Sequence, residues 1–162
     1  MMALLAVMLL ITLQGNQPAA EFLDFTFYDA ADREYHSTRV LEDMLINQSG
    51  RTDPRVILIE TSSLDHPAYR KQINILQSRS LQEYDFLCVV ACPAADVSVG
   101  YHTDCATASS LVEDEGSFRV VLLNSSGAVI ETWNGLATAR HLRRHIPRKQ
   151  PGLLVAERDA MP

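Results

Sequence analysis

The sequence predicts an α/β domain in which one mixed β-sheet carries helices on both faces. Residues 55–60 and 85–92 each contain a run of consecutive apolar residues, which is typical of strands covered on both sides. Segments with helical periodicity separate these strands, and helical crossovers join parallel strands. A hairpin pattern at 118–133 adds antiparallel strands at one edge. One hydrophobic core is enough for 162 residues, of which 47% are hydrophobic.

Composition excludes several other classes of protein. The chain contains 7 Gly and 7 Pro, too few for a low-complexity chain, and its 3 Cys cannot form a disulfide scaffold. With 14 basic and 20 acidic side chains, the net charge is −6. Proteins that bind nucleic acid usually present excess Lys and Arg to the phosphates, so we expect no nucleic-acid partner.

Periodicity and end signals define each element in turn. Phe25 and Phe27 alternate with polar residues in the first strand, and Ser37 or Thr38 is a candidate helix cap. The predicted elements are a strand (22–28), a helix (37–47), a strand (55–60), a helix (65–78), a strand (85–92), a short helix (104–112), a hairpin (118–133) and a helix (135–146). We expect the last helix to bury Leu136, Ala139, Leu142 and Ile146.

The resulting order is β-α-β-α-β-(α)-β-β-α, which is the order of thioredoxin. The fold prediction is therefore an α/β, thioredoxin-like three-layer sandwich in one domain, residues 21–150. Residues 151–162 form a polar C-terminal tail.

The N-terminal residues 1–20 have the character of a signal peptide. They contain no charged side chain and include a run of about eleven apolar residues, too short to cross ~30 Å of hydrocarbon. Cleavage after Ala20 would give a periplasmic or secreted protein with no membrane span. A retained N-terminal anchor and a buried helix are the alternatives.

The turn after the second strand is where a thioredoxin fold carries its reactive cysteine, because a helix N-terminus stabilises a thiolate. Here residues 61–67 contain no Cys, and no Pro directly precedes Phe118. Both observations disfavour the usual thiol chemistry. The hydroxyls of Thr61, Ser62 and Ser63, with His66, are instead a candidate ligand-binding site. In the alternative interpretation, Asp65 or Ser63 caps the helix and His66 is solvated.

The three cysteines have separate interpretations. Cys88 and Cys92 lie on one face of a strand, about 13 Å apart at ~3.3 Å per residue, too far for a disulfide. Cys88 is expected to be a small core residue. For Cys92 and Cys105 three alternatives remain open: a disulfide, idle thiols or a redox couple.

The last helix carries two further candidate features. His141 and His145 share a face, but no neighbouring side chain completes a zinc site, so we expect no metal and no cofactor. The basic residues of this helix either form a solvated face or contact an acidic partner or polyanion; they are Arg140, Arg143, Arg144, Arg148 and Lys149.

Residues 52–146 resemble a secreted family of thioredoxin-like domains of unknown function. The resemblance rests on residues 69–72, 85–90 and 116–127, and the closing segment 159–162 is similar to the family's terminal Asp-x-Met-Pro. The family's usual Gly-Lys-Asp-Gly-like hairpin turn is replaced here by residues 124–127. The family occurs in bacterial exported proteins and is similar to a module of animal sushi-repeat matrix proteins. It implies no established activity.

Together these observations favour an exported, non-catalytic binding or envelope-associated module that recognises a protein or a small ligand. On this interpretation the chain has no catalytic residue and is not an enzyme. The alternative is an atypical thiol–disulfide oxidoreductase that uses Cys92 and Cys105.

Overall fold

The computed structural model describes residues 20–46, 53–93, 100–112 and 117–149. The predicted signal segment, apart from Ala20, and the predicted tail lie outside these residues. Within them, the elements are β1 (Thr26–Tyr28), β2 (Glu34–His36), α1 (Val40–Ile46), β3 (Arg55–Thr61), α2 (Pro67–Leu76), β4 (Phe86–Ala91), β5 (Tyr101–His102), α3 (Cys105–Leu111), β6 (Phe118–Leu123), β7 (Val129–Trp133) and α4 (Ala139–His145), with a 3₁₀ turn at Arg79–Leu81.

The strands form one mixed sheet in the order β2-β1-β5-β4-β3-β6-β7. Strands β3, β4 and β5 run parallel, whereas β6 pairs antiparallel with β3 and β7 antiparallel with β6. The β3-α2-β4 unit followed by β6-β7-α4 is the thioredoxin-like arrangement, so the predicted fold class is confirmed.

The first strand differs from the prediction. Parallel pairing was expected for it, but β1 pairs antiparallel with both β2 and β5. The reason is the short β2, which the sequence analysis missed. The β1–β2 hairpin reverses the chain direction. As a result β2, and not β1, runs parallel to β3 and leads into α1.

Two hydrophobic clusters lie on opposite faces of the sheet. On the first face, Val40 and Met44 of α1 and Ala108 of α3 pack against β3, β4 and β6. On the second face, Leu76 of α2 and Leu142 of α4 pack against the same strands. Because both faces are covered, β3 is buried from Val56 through Thr61, as its apolar run predicted.

The hairpin of β6 and β7 closes through residues 124–127, as predicted. Asn124 Oδ1 accepts hydrogen bonds from the backbone N–H groups of Ser126 and Ala128. Gly127 has φ +81°, a left-handed conformation that glycine adopts at low cost. Glu21 and Leu23 pair with this hairpin, because Val129 N donates to Glu21 O and Leu23 N to Gly127 O.

Two details of the helices correct the prediction. The Ser37 hydroxyl does not cap α1, because it accepts from Phe25 N and donates to Leu23 O. Leu136 precedes α4 and is 37% exposed, whereas Leu142 and Ile146 are buried as expected. The N-cap of α4 is Thr138, whose hydroxyl accepts from His141 N.

No helix within the described ranges is long and apolar enough to cross a membrane.

Candidate functional site

The carboxyl ends of β3 and β4 lie at one edge of the sheet, which is where open α/β sheets usually bind ligands. The turn that connects β3 to α2 places Thr61, Ser62, Ser63 and His66 at this edge. The last pair of the β3–β4 register is Glu60 with Ala91. The residues that follow this pair are Thr61, which ends β3, and Cys92, which comes directly after β4. The structure thus joins two sites that the sequence analysis treated separately.

The hydroxyls of the turn are used mainly to hold its own backbone. Thr61 is fully buried, and its Oγ1 donates to Ser63 O at 2.9 Å. Ser63 Oγ accepts from Asp65 N at 3.1 Å. Ser62 is half-buried. Fixed in this way, Thr61 and Ser63 shape the turn, and their role in ligand binding stays a prediction.

His66, not Asp65 or Ser63, caps the following helix. Its Nδ1 accepts a hydrogen bond from Ala68 N at 3.2 Å, and Pro67 occupies the first helical position. The imidazole is half-buried and stacks on the ring of Phe118, with 5.6 Å between centroids and 8° between planes. The alternative of a solvated His66 is therefore wrong, because the cap and the stack both hold the ring against the protein.

A buried ion pair lies directly beneath this edge, and the sequence analysis missed it. Arg119 Nε contacts Glu60 Oε2 at 2.5 Å, and the Glu60 side chain is only 3% exposed. The two residues face each other in the β3–β6 register. A single Glu at the end of an apolar strand is the only sequence signal, and nothing local identifies Arg119 as its partner.

The three cysteines are free thiols in very different surroundings. Cys92 is buried with 3% exposure, whereas Cys105 is exposed at the first position of α3. Cys88 packs in the second cluster, and burial raises the pKa of its thiol to about 12. Cys88 is half-buried and packs against the core, as a small apolar residue would. The predicted Cys92–Cys105 disulfide is not formed in this structure, and the pairing stays a prediction.

The β4–β5 pairing brings the segments of Cys92 and Cys105 together. Val90 faces His102 in the parallel register, and Thr103 N donates to Val90 O at 3.1 Å. Cys92 follows Val90 by two residues, and Cys105 follows Thr103 by two. Asp104 turns the chain into α3 by accepting from Thr107 N.

The histidines of α4 have other contacts. His141 stacks on Trp133, with 6.3 Å between ring centroids, and His145 Nε2 lies 2.9 Å from Glu131 Oε2. No group of three or more metal-ligating side chains occurs among the residues that the structure describes. The side chains of Arg140, Arg143 and Arg144 are exposed on the same helix, and a partner for them stays a prediction.

No family model and no curated protein sequence matches the chain. Several solved structures resemble it. Peroxidoxin BcpB from Mycobacterium tuberculosis matches with TM-score 0.49 and 10% identity over 91% of this chain and 100% of that one. A thiol peroxidase from Chromobacterium violaceum matches with TM-score 0.39 and 14% identity, over 78% of this chain and 81% of that one. An N-terminally modified Prx1a from Plasmodium yoelii matches with TM-score 0.43 and 11% identity, over 79% of this chain and 85% of that one.

These matches correct the functional prediction. A non-catalytic binding or envelope-associated module was favoured, but the matched structures are named as a peroxidoxin, a thiol peroxidase and Prx1a.

Proposed function

We propose that this protein is a thiol–disulfide oxidoreductase whose redox couple is Cys92 and Cys105. The observation that carries the proposal is the pairing of β4 with β5, which aligns the two cysteine segments. Neighbouring strands lie ~4.8 Å apart, and a disulfide needs a Cα separation of ~4.4–6.8 Å. The last pair of that register, Val90 with His102, lies two residues before Cys92 and three before Cys105, which supports a close approach of the two thiols.

The exposure of the two thiols supports a different role for each. Cys105 is exposed and can reach a disulfide on another molecule, whereas Cys92 is buried at the sheet edge. Cys105 therefore attacks the substrate disulfide, which forms a mixed disulfide and releases one substrate thiol. Cys92 then loses its proton and attacks the Cys105 sulfur, which forms the Cys92–Cys105 bond and releases the second thiol. The two electrons and two protons of the protein dithiol pass to the substrate.

The test is to trap the intermediate. We expect the C92S variant, mixed with a model disulfide such as 5,5′-dithiobis(2-nitrobenzoate), to stop at a stable adduct on Cys105 visible by intact-protein mass spectrometry. The C105S variant should not turn over, and C88S should behave as wild type because Cys88 is a core residue outside the couple.

Two results would contradict the proposal. If C105S reduced the model disulfide as fast as wild type, Cys105 would not be the attacking thiol. Reduction of hydrogen peroxide together with complete inertness toward disulfides would assign peroxidase chemistry in place of disulfide exchange.

We further propose that the protein acts outside the cytoplasm, in the periplasm or as a secreted protein. The uncharged apolar N-terminus and the resemblance to a secreted domain family support export. In this setting its partners are proteins or small molecules with exchangeable disulfides. Cell fractionation with N-terminal sequencing tests the compartment, and a mature chain that begins at Glu21 is the expected result.

A further inference from the structure

Two hydroxyl-bearing residues, Thr61 and Tyr69, belong to segments that meet at the carboxyl ends of β3 and β4, where Cys92 follows the last residue of β4. Thr61 ends β3, but the proton of its hydroxyl is committed to Ser63 O. The second hydroxyl belongs to Tyr69 of α2, which makes no hydrogen bond with the residues that the structure describes. Tyr69 is therefore the available donor.

The topology brings Tyr69 to Cys92. The side chains of β4 alternate, so Cys92 faces the same side as Cys88, which packs in the second cluster together with Tyr69. Helix α2 is the crossover between parallel β3 and β4, so its first turn lies at the carboxyl ends of both strands. Tyr69 is in that first turn, and Cys92 directly follows the end of β4.

The electrostatics agree with this placement. Burial raises the pKa of Tyr69, and the negative charges of the Cys88 and Cys92 thiolates raise it further. The phenol thus keeps its proton at neutral pH and can act as a donor. An ionised sulfur is also a stronger acceptor than a neutral thiol.

We infer that the Tyr69 hydroxyl donates a hydrogen bond to the Cys92 sulfur when that sulfur is a thiolate. This role deepens the proposed disulfide exchange and rests on it. In the resolving step Cys92 must lose its proton in buried surroundings, and Tyr69 supplies the compensating donor. The substrate sulfur that leaves Cys105 takes up the proton.

The first experiment needs no turnover. In a chain that carries C88A and C105A, iodoacetamide alkylates only Cys92, and its rate is followed by mass spectrometry across pH 6–9. We expect Y69F to lower the rate at pH 7 roughly tenfold, as the loss of one charge-assisted hydrogen bond implies. The pH profile should move to higher pH. The matched control is Y84F, which removes a phenol hydroxyl two residues before β4 begins, at the end of that strand opposite to Cys92.

An unchanged alkylation rate and pH profile in Y69F would overturn the inference, and so would an equal loss of alkylation rate in Y84F.

The second experiment measures single-turnover release of both substrate thiols. With Cys88 and Cys105 restored, we expect Y69F to form the Cys105 adduct at the wild-type rate and to resolve it roughly tenfold more slowly. If alkylation responds to Y69F but C92S traps no adduct, only the proposed function fails. If C92S traps the adduct and alkylation ignores Y69F, only the role of Tyr69 fails.

Discussion

Asp29 shows how one buried carboxylate can organise a turn. It accepts hydrogen bonds from the backbone N–H groups of Ala31 and Arg33, from the Arg33 guanidinium and from the Tyr35 hydroxyl. Burial by itself would raise the pKa of Asp29, but these four donors outweigh it and the pKa is lowered. The reversal between β1 and β2 therefore depends on the ionised carboxylate.

We expect D29N to lower the free energy of unfolding by about 1–3 kcal/mol at pH 7, because the amide cannot accept all four donors. The folded pKa lies below the unfolded value of about 3.9, so this stabilisation is fully present above that value and is lost as the pH falls through the folded pKa. Urea denaturation at pH 7 and pH 3 should show that the difference in unfolding free energy between wild type and D29N is smaller at pH 3. The exposed Asp32, substituted D32N, is the control.

Two left-handed glycines form a matched pair. A Cβ on Gly127 would lie 3.0 Å from Thr38 Cγ2 and 3.1 Å from Leu23 O, whereas a Cβ on Gly100 would meet nothing within 4 Å. Both have φ near +80°. In thermal or urea denaturation, we expect G100A to cost about 1 kcal/mol for the backbone alone and G127A at least ~2 kcal/mol. Equal losses would show that the packing of residues 21–23 on the hairpin contributes nothing.

Between elements, a single amide joins α2 to the segment before α4. Gln72 is fully buried; its Oε1 accepts from Ala137 N at 2.8 Å, and its Nε2 donates to Ala137 O at 3.1 Å. A Gln within an amphipathic helix ordinarily faces solvent, so the helical periodicity did not identify this contact. These two hydrogen bonds satisfy both the N–H and the C=O group of buried Ala137.

We expect Q72L to destabilise the protein by about 2–4 kcal/mol, since it leaves the N–H and C=O groups of Ala137 buried without partners. Urea denaturation gives the value. The exposed Gln77, the C-cap residue of the same helix, provides the control Q77L, which should change stability by less than ~0.5 kcal/mol. A loss for Q72L no larger than for Q77L would mean that water replaces the amide.

At the scale of the whole molecule, the three cysteines differ in solvent exposure and thiol pKa, so we expect them to react at different rates. In the folded protein we expect iodoacetamide to modify exposed Cys105 first, buried Cys92 more slowly, and half-buried Cys88 most slowly, because the Cys88 pKa of about 12 leaves little thiolate. Timed labelling with peptide mass spectrometry, with and without guanidinium, measures this order. Labelling of Cys88 as fast as Cys105 in the native state would contradict the packing of the second cluster.

The sequence alone determined the central strands, the crossover helix α2, the short helix α3, the hairpin and the last helix. It could do so because apolar periodicity and turn residues act over a few neighbouring positions. The same local signals were too weak for β2 and β5, which have three and two residues. The equally short β1 was detectable because the alternation of Phe25 and Phe27 extends beyond it, whereas β2 and β5 have no such flanking pattern and depend on the strands with which they pair.

Only the tertiary structure decided the content of the site. It paired Glu60 with Arg119, stacked His66 on Phe118 and aligned the segments that precede Cys92 and Cys105. Most of these contacts join residues far apart in the chain, and the sheet register sets most of them. The sequence by itself therefore determined which elements form, and the packing of those elements decided which side chains meet, because no local pattern encodes a contact between strands that are distant in the chain.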